Sequence, residues 1–206
     1  MTIRTTLPSI GILLSAAQVV AGAVGAQNLS RNELVAALRQ GGYVLVMRHA
    51  SSPRDAPSRE TANADNTGLE RQLDAEGRAG AAAMGKALRE LKIPFGDVLT
   101  SPTYRARETV KLAQLASPAS VAELGDGGQS MQGVTDAQAA WLRTRVTQVP
   151  GIGNTIIVTH GPNLARAFPE WGAGVSEGET VVLRPDGKNG TTVVGTIRIN
   201  EWPGMP

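Results

Sequence analysis

Apolar and polar positions alternate along the chain in two patterns, one typical of helices and one of buried strands. Ser30 followed three residues later by Glu33 forms a capping box, and apolar residues at helical spacing continue from there to Gly41. Residues 43–47 then form a continuous apolar run, and residues 154–158 form another. Runs of this kind are typical of strands that are buried on both faces of a parallel sheet. The chain therefore begins with a helix followed by a buried strand.

Helices and strands continue to alternate after this first pair. The further elements we predict are helices over residues 74–91, 103–115 and 135–148 and strands over residues 97–100, 179–184 and 191–199. Residues 50–67 and 117–134 show no period and are predicted as loops. This order predicts a three-layer α/β/α sandwich with a mostly parallel central sheet and an antiparallel addition at its end.

Composition narrows the classes of function. The 206 residues, 41% hydrophobic and 18% charged, are typical of one soluble globular domain. The sequence has no cysteine, which excludes disulfides and thiolate chemistry, and its two histidines argue against a multi-histidine metal centre. A net charge of +2 and 3% aromatic residues give no support to nucleic-acid binding. No motif for a nucleotide, nicotinamide or other cofactor is present.

The amino terminus has the pattern of a signal peptide. Arg4 precedes an apolar stretch over residues 7–23, which ends in the small residues Val24, Gly25 and Ala26. We expect cleavage after residue 26, export to the periplasm or the exterior, and one domain over residues 27–206. A retained membrane anchor is the alternative, but the stretch is weakly apolar, so no stable span is expected after cleavage.

Both histidines directly follow a buried strand. His49 comes after Arg48 at the end of the first strand, and His160 follows the strand at 154–158. A third strand ends at Thr100 and leads into a helix whose first turn carries Arg105. Ligands of open α/β sheets bind beyond the carboxyl ends of the strands, so these side chains are expected around one pocket. Arginine suits a phosphate group because its planar fork donates two hydrogen bonds.

Three segments resemble the signature motifs of the histidine phosphatase superfamily, which includes phosphoglycerate mutases and phosphohistidine phosphatases. They are residues 46–50, 101–109 and 158–161, in the family's order, and residues 71–77 are similar to a stretch that opens a helix in its smaller members. The resemblance implies a phosphoglycerate mutase-like fold. It also implies that His49 is the nucleophile and that Arg48, Arg105 and His160 bind the phosphate.

Elementary chemistry agrees with those roles. A neutral imidazole attacks phosphorus and forms a phosphohistidine intermediate, while cationic groups stabilise the charge on the phosphoryl oxygens. We expect the arginines to lower the pKa of His49 by like-charge repulsion. The proton donor for the leaving group is open: Glu123 is the first candidate and Asp126 the second, and an activated phosphate needs none.

The sequence thus predicts a metal-independent phosphatase that hydrolyses a phosphate monoester or a phosphoramidate through a phosphohistidine. A small phosphorylated molecule, an envelope sugar phosphate or a phosphoprotein is the expected partner. A phosphate-binding module without turnover and a phosphomutase are the alternatives.

Residues 174–178 match the serine-hydrolase pattern Gly-x-Ser-x-Gly, but both histidines precede the serine and no helix is predicted after it.

Overall fold

Six strands and five α-helices alternate along residues 28–127 and 133–206, the part of the chain that the computed structural model describes. In chain order they are α1 (Arg31–Gln40), β1 (Val44–Arg48), α2 (Ala75–Glu90), β2 (Phe95–Thr100), α3 (Tyr104–Leu112), β3 (Ala119–Ser120), α4 (Asp136–Val146), β4 (Asn154–Thr159), α5 (Gly161–Ala167), β5 (Glu179–Pro185) and β6 (Thr191–Arg198). Short 3-10 helices cover Ala122–Leu124, Gly172–Gly174 and Trp202–Gly204.

The strands form one sheet in the order β3-β2-β4-β1-β5-β6. β3, β2, β4 and β1 pair in parallel, whereas β5 pairs antiparallel with both β1 and β6. The predicted sheet, mostly parallel with an antiparallel addition at its end, is confirmed. β4 lies between β1 and β2 and pairs with both, so the three strands that lead into the candidate site residues are adjacent in the sheet.

Helices cover both faces of the sheet, which gives the three predicted layers. One buried cluster joins α1, α2 and α3 to one face, with Leu45 and Ile156 among the strand residues, and the other joins α4 and α5 to the opposite face through Val46 and Ile157. Successive strand residues point to opposite faces, so a strand that is buried on both sides must be apolar throughout. This is the physical reason for the continuous apolar runs at β1 and β4.

The helix starts follow from their capping residues. The Ser30 hydroxyl accepts the Glu33 N–H while the Glu33 carboxylate accepts the Ser30 N–H, which is the capping box expected at α1. Asp74 caps α2 by accepting the Gly77 N–H at 2.7 Å. An alanine Cβ at position 77 would lie 2.2 Å from the Ser51 carbonyl oxygen, so only glycine allows this close approach of helix and loop.

Three features differ from the sequence predictions or fall outside the structure, and the first is the short strand β3 (Ala119–Ser120), which lies within the loop predicted over residues 117–134. The helix α5, which begins directly after His160, was not predicted, because its seven residues include a glycine and a proline at the start and show little amphipathic pattern. The proposed signal peptide falls on residues that the structure does not describe. Within the described ranges, no helix is long and apolar enough to cross a membrane.

Candidate active site

Three neighbouring strand ends bring the candidate residues together. Arg48 at the end of β1 lies in register with Thr159 of β4, and Thr100 of β2 lies in register with Val158. The backbone continues this alignment by one residue, because the His49 N–H donates to the Thr159 carbonyl at 3.0 Å. As a result the two imidazole rings lie with their centroids 5.2 Å apart.

His49 is buried and held in one tautomer. Its Nδ1 lies 2.8 Å from the carbonyl oxygen of Ala50, and a carbonyl can only accept, so Nδ1 carries the proton. The lone pair is therefore on Nε2, which accepts the Nε–H of Arg105 at 3.1 Å. An imidazole in this state presents a nucleophilic nitrogen toward the guanidinium.

The electrostatics keep His49 neutral. Burial lowers its pKa from 6.5 to about 2, with additional lowering by His160, Arg105 and Arg48, against the opposing hydrogen bond to Ala50. From the sequence we expected only the arginines to lower this pKa. The largest cause is instead the loss of solvent around the ring, which is 2% exposed.

His160 anchors Arg105 and is also neutral. The Arg105 Nη2 donates to its Nδ1 at 3.0 Å, which leaves the proton on Nε2, and Nε2 lies 2.7 Å from the Ser101 hydroxyl. Burial lowers the pKa of His160 well below its usual value, and the nearby arginines lower it further. The hydrogen bonds fit a neutral ring, and its N–H is directed at the Ser101 hydroxyl.

Arg105 connects the whole cluster. It is 4% exposed and bonds to both histidines, and its Nη2 also donates to the Asp126 carboxylate. Burial lowers the pKa of Arg105, and the charge of Asp126 works against that lowering. This guanidinium is placed to bind an anion seated between the two imidazoles.

These side chains line an open hollow of about 590 Å³ at the carboxyl ends of the strands. It contains four arginines and two carboxylates; the lining residues are Arg48, His49, Ser52, Arg54, Arg71, Arg105, Asp126, His160, Gly161, Pro162 and Glu177. The hollow is larger than a phosphate ion and admits a substrate that carries additional atoms.

The two proton-donor candidates have different positions. Glu123, in the short 3-10 helix at 122–124, does not line the hollow, and its backbone carbonyl lies 3.4 Å from the Asn163 amide. Asp126 does line it, with one carboxylate oxygen bonded to Arg105 and 3.6 Å from His160 Nδ1. Of the two, Asp126 is the one beside the histidines.

The segment that carries Asp126 is fixed by side chains of the scaffold. The Gly125 carbonyl accepts the side-chain amides of Gln138 and Asn163, each at 2.9 Å, and the Leu124 carbonyl accepts the Thr159 hydroxyl at 2.8 Å. Three elements therefore hold this otherwise irregular loop against the end of β4.

Arg48 and four residues that were not predicted as site residues complete the hollow. The Arg48 Nη2 donates to the Glu177 carboxylate at 3.0 Å, and Arg71 hydrogen-bonds the carbonyls of Ser52 and Pro53. Arg71 lies in one of the motif segments, which was the signal for it. Glu177 lies in a turn, and Arg54 and Ser52 lie in a loop without any pattern, so no local signal marked them.

Two other kinds of site can be checked in the described part of the chain: a metal site and a serine-hydrolase site. Across residues 28–127 and 133–206, no group of three His, Asp or Glu side chains is arranged to hold a metal ion. Ser176 of the Gly-x-Ser-x-Gly stretch is exposed, does not line the hollow and is followed by β5 rather than by a helix, so the nucleophile-elbow geometry is not present.

One family model matches part of the chain, and several solved structures have a similar fold. Residues 44–126 match the model of the histidine phosphatase superfamily (branch 1), a range that includes His49 and Arg105 and ends before His160. No curated protein matches the chain in sequence.

Solved structures share the fold at low identity. The protein histidine phosphatase SixA complexed with tungstate is 19% identical, with a TM-score of 0.57 over 77% of this chain and 98% of its own. A protein named as phosphohistidine phosphatase SixA from Agrobacterium tumefaciens is 15% identical, with a TM-score of 0.53 over 76% and 97%. A protein named as alpha-ribazole-5'-P phosphatase from Escherichia coli K-12 is 18% identical, with a TM-score of 0.52 over 73% and 94%.

Proposed function

We propose that the chain is a member of the histidine phosphatase superfamily and that it hydrolyses a phosphate monoester or a phosphoramidate through a phosphohistidine on His49. The observation that carries the proposal is the geometry at Nε2 of His49. This unprotonated nitrogen lies 3.1 Å from the guanidinium of Arg105, which in turn lies 3.0 Å from His160. A nucleophile thus faces donors suited to phosphoryl oxygens.

In the first step, the hydrogen bond from Arg105 Nε–H to His49 Nε2 breaks and the freed lone pair attacks phosphorus, while the bond from phosphorus to the leaving group breaks. Arg48 and Arg105 hold the phosphoryl oxygens in this proposal, His160 orients Arg105, and the Ala50 carbonyl holds the proton on Nδ1. Because His49 is neutral at physiological pH, no proton has to leave Nε2 before it attacks.

Asp126 is the proposed proton donor, in preference to Glu123, since it contacts Arg105 and lies beside His160. In its protonated form it gives the proton to the leaving oxygen, and in the second step it takes a proton from the water that attacks phosphorus. The second step breaks the bond between phosphorus and Nε2 and releases orthophosphate. A phosphoramidate whose nitrogen group already carries a proton leaves as a neutral amine or imidazole, so it depends less on this donor.

The hollow supports a small phosphorylated molecule or a phosphorylated side chain as the substrate. Its volume of about 590 Å³ exceeds that of orthophosphate, and four arginines line it. Export of the mature chain remains part of the proposal, and it rests on the amino-terminal sequence pattern alone.

The test is hydrolysis of p-nitrophenyl phosphate in the presence of EDTA. We expect turnover by the wild type and its loss in His49→Ala, while Ser176→Ala, which alters the exposed serine outside the hollow, retains it. Retention of most activity in His49→Ala refutes the proposal. Orthophosphate binding without any turnover supports a phosphate-binding module instead, and transfer to an acceptor other than water supports a mutase.

A further inference from the structure

Glu177 occupies a place in the hollow where an anionic substrate is expected to bind. Its Oε1 accepts the Arg48 Nη2 at 3.0 Å and lies 3.8 Å from the Arg71 Nη2, while its Oε2 accepts the Ser52 N–H at 3.1 Å. Two guanidinium groups and a backbone N–H are the donors that proteins use for phosphate oxygens. The carboxylate therefore takes up contacts suited to a phosphoryl group.

The fork of Arg48 is directed at the segment that carries Glu177. Its Nη1 donates to the Val175 carbonyl at 3.2 Å, its Nη2 donates to Glu177, and its Nε is buried without a hydrogen-bond partner among the described residues. Neither terminal nitrogen hydrogen-bonds a histidine in the described part of the chain. A phosphate that uses both nitrogens of this fork must share it with the segment or displace Glu177.

The backbone of that segment is anchored, so the carboxylate stays beside the hollow. The Gly178 N–H lies 3.1 Å from the Arg48 carbonyl and 2.9 Å from the His49 carbonyl. Gly178 has φ +76°, and a Cβ there would lie 2.8 Å from the Ile199 side chain, so the position requires glycine. Only the side chain of Glu177, which is 23% exposed, is free to rotate away.

We infer that Glu177 determines the anion affinity of the site by competing with the phosphoryl group for Arg48 and Arg71. The inference rests on the proposed function, because it assumes that phosphate binds in this hollow. A carboxylate this close also repels the phosphate directly. The expected consequence is weak retention of orthophosphate, which favours product release after the phosphohistidine is hydrolysed.

The experiment compares orthophosphate binding by the wild type, Glu177→Gln and Glu179→Gln in isothermal titration calorimetry at pH 7. The glutamine at 177 keeps an acceptor for Arg48 but removes the charge. Glu179 is a matched control, since it lies two residues away, accepts the Ser176 N–H at 2.9 Å and does not line the hollow.

For Glu177→Gln we expect the orthophosphate Kd to fall about fivefold to twentyfold, the range that loss of one partly screened like charge gives. Product inhibition by orthophosphate strengthens by the same factor, and Glu179→Gln behaves as the wild type. Glu177→Ala provides a second variant, with a change in the same direction expected.

An unchanged or a higher Kd in both position-177 variants overturns the inference, and a higher value shows that Glu177 instead orients Arg48 for binding. Failure of the proposed function itself gives a different result, because the wild type then neither binds orthophosphate nor depends on His49 for turnover.

Discussion

Because His49 is buried and neutral, we expect the folded protein to lose stability in acid. A substitution at position 49 tests this expectation. The pKa of His49 is lowered from 6.5 to about 2 in the folded protein, mainly by burial. In the unfolded chain the ring takes up a proton as the pH falls through about 6.5. Below that pH the unfolded state binds one proton more than the folded state, so the free energy of unfolding falls as the pH falls, down to about pH 2.

The magnitude follows from linkage. One such proton changes the free energy of unfolding by up to about 1.4 kcal/mol per pH unit, which integrates to about 2 kcal/mol between pH 6.5 and 4.5. The chain has only two histidines, so the contribution of one of them can be isolated. Asparagine at position 49 keeps a polar side chain and removes the titration.

The assay is urea unfolding of the wild type and His49→Asn at pH 6.5, 5.5 and 4.5. We expect the variant to lose about 2 kcal/mol less than the wild type over this range. His160→Asn should reduce the slope as well, because burial also lowers the pKa of His160. Parallel pH dependence of the wild type and His49→Asn would refute a buried, neutral His49.

Substitutions at three further positions test the scaffold and the chemistry. Gly77→Ala should destabilise the fold by about 2 kcal/mol or more, because its Cβ would lie 2.2 Å from the Ser51 carbonyl oxygen, and an unchanged calorimetric Tm contradicts this. Thr109→Val should lower kcat for p-nitrophenyl phosphate about tenfold, since the Thr109 hydroxyl accepts the Ala50 N–H at 3.1 Å beside the nucleophile. Thr109→Ser should restore the rate, and a valine variant as fast as the wild type excludes this positioning role. Asp126→Asn should lower kcat about a hundredfold for an alkyl phosphate and much less for p-nitrophenyl phosphate, whereas equal losses exclude proton transfer by Asp126.

The sequence predicted most of the fold because its local signals agree with its packing. Ser30 and Asp74 cap the helices that their spacing indicated, and the apolar runs at β1 and β4 are the strands at the centre of the sheet. The rule that parallel strands end at one edge then places His49 and His160 together. The short helix after His160 was missed, because it is specified by the packing of Leu164 and Ala167 rather than by amphipathic periodicity.

The parts of the site that sequence reasoning missed depend on contacts between distant residues. Glu177 meets Arg48 across 129 positions, and no local pattern marks a turn acid that folds into the hollow. The explanation predicted for the His49 pKa shift was incomplete for the same reason. It named the arginines and left out burial, which depends on packing from several elements. The positions of Glu123 and Asp126 differ by three residues in sequence, and only the course of the loop decides which one faces the histidines.

Trapping of the phosphoenzyme tests the central claim most directly. The protein is mixed with p-nitrophenyl phosphate, quenched in alkali within the first turnovers, digested and analysed by mass spectrometry. The account predicts a phosphoryl group on His49, stable in alkali, lost in acid and absent from His49→Ala. A phosphoryl group on another residue, or labelling that persists in His49→Ala, would contradict it.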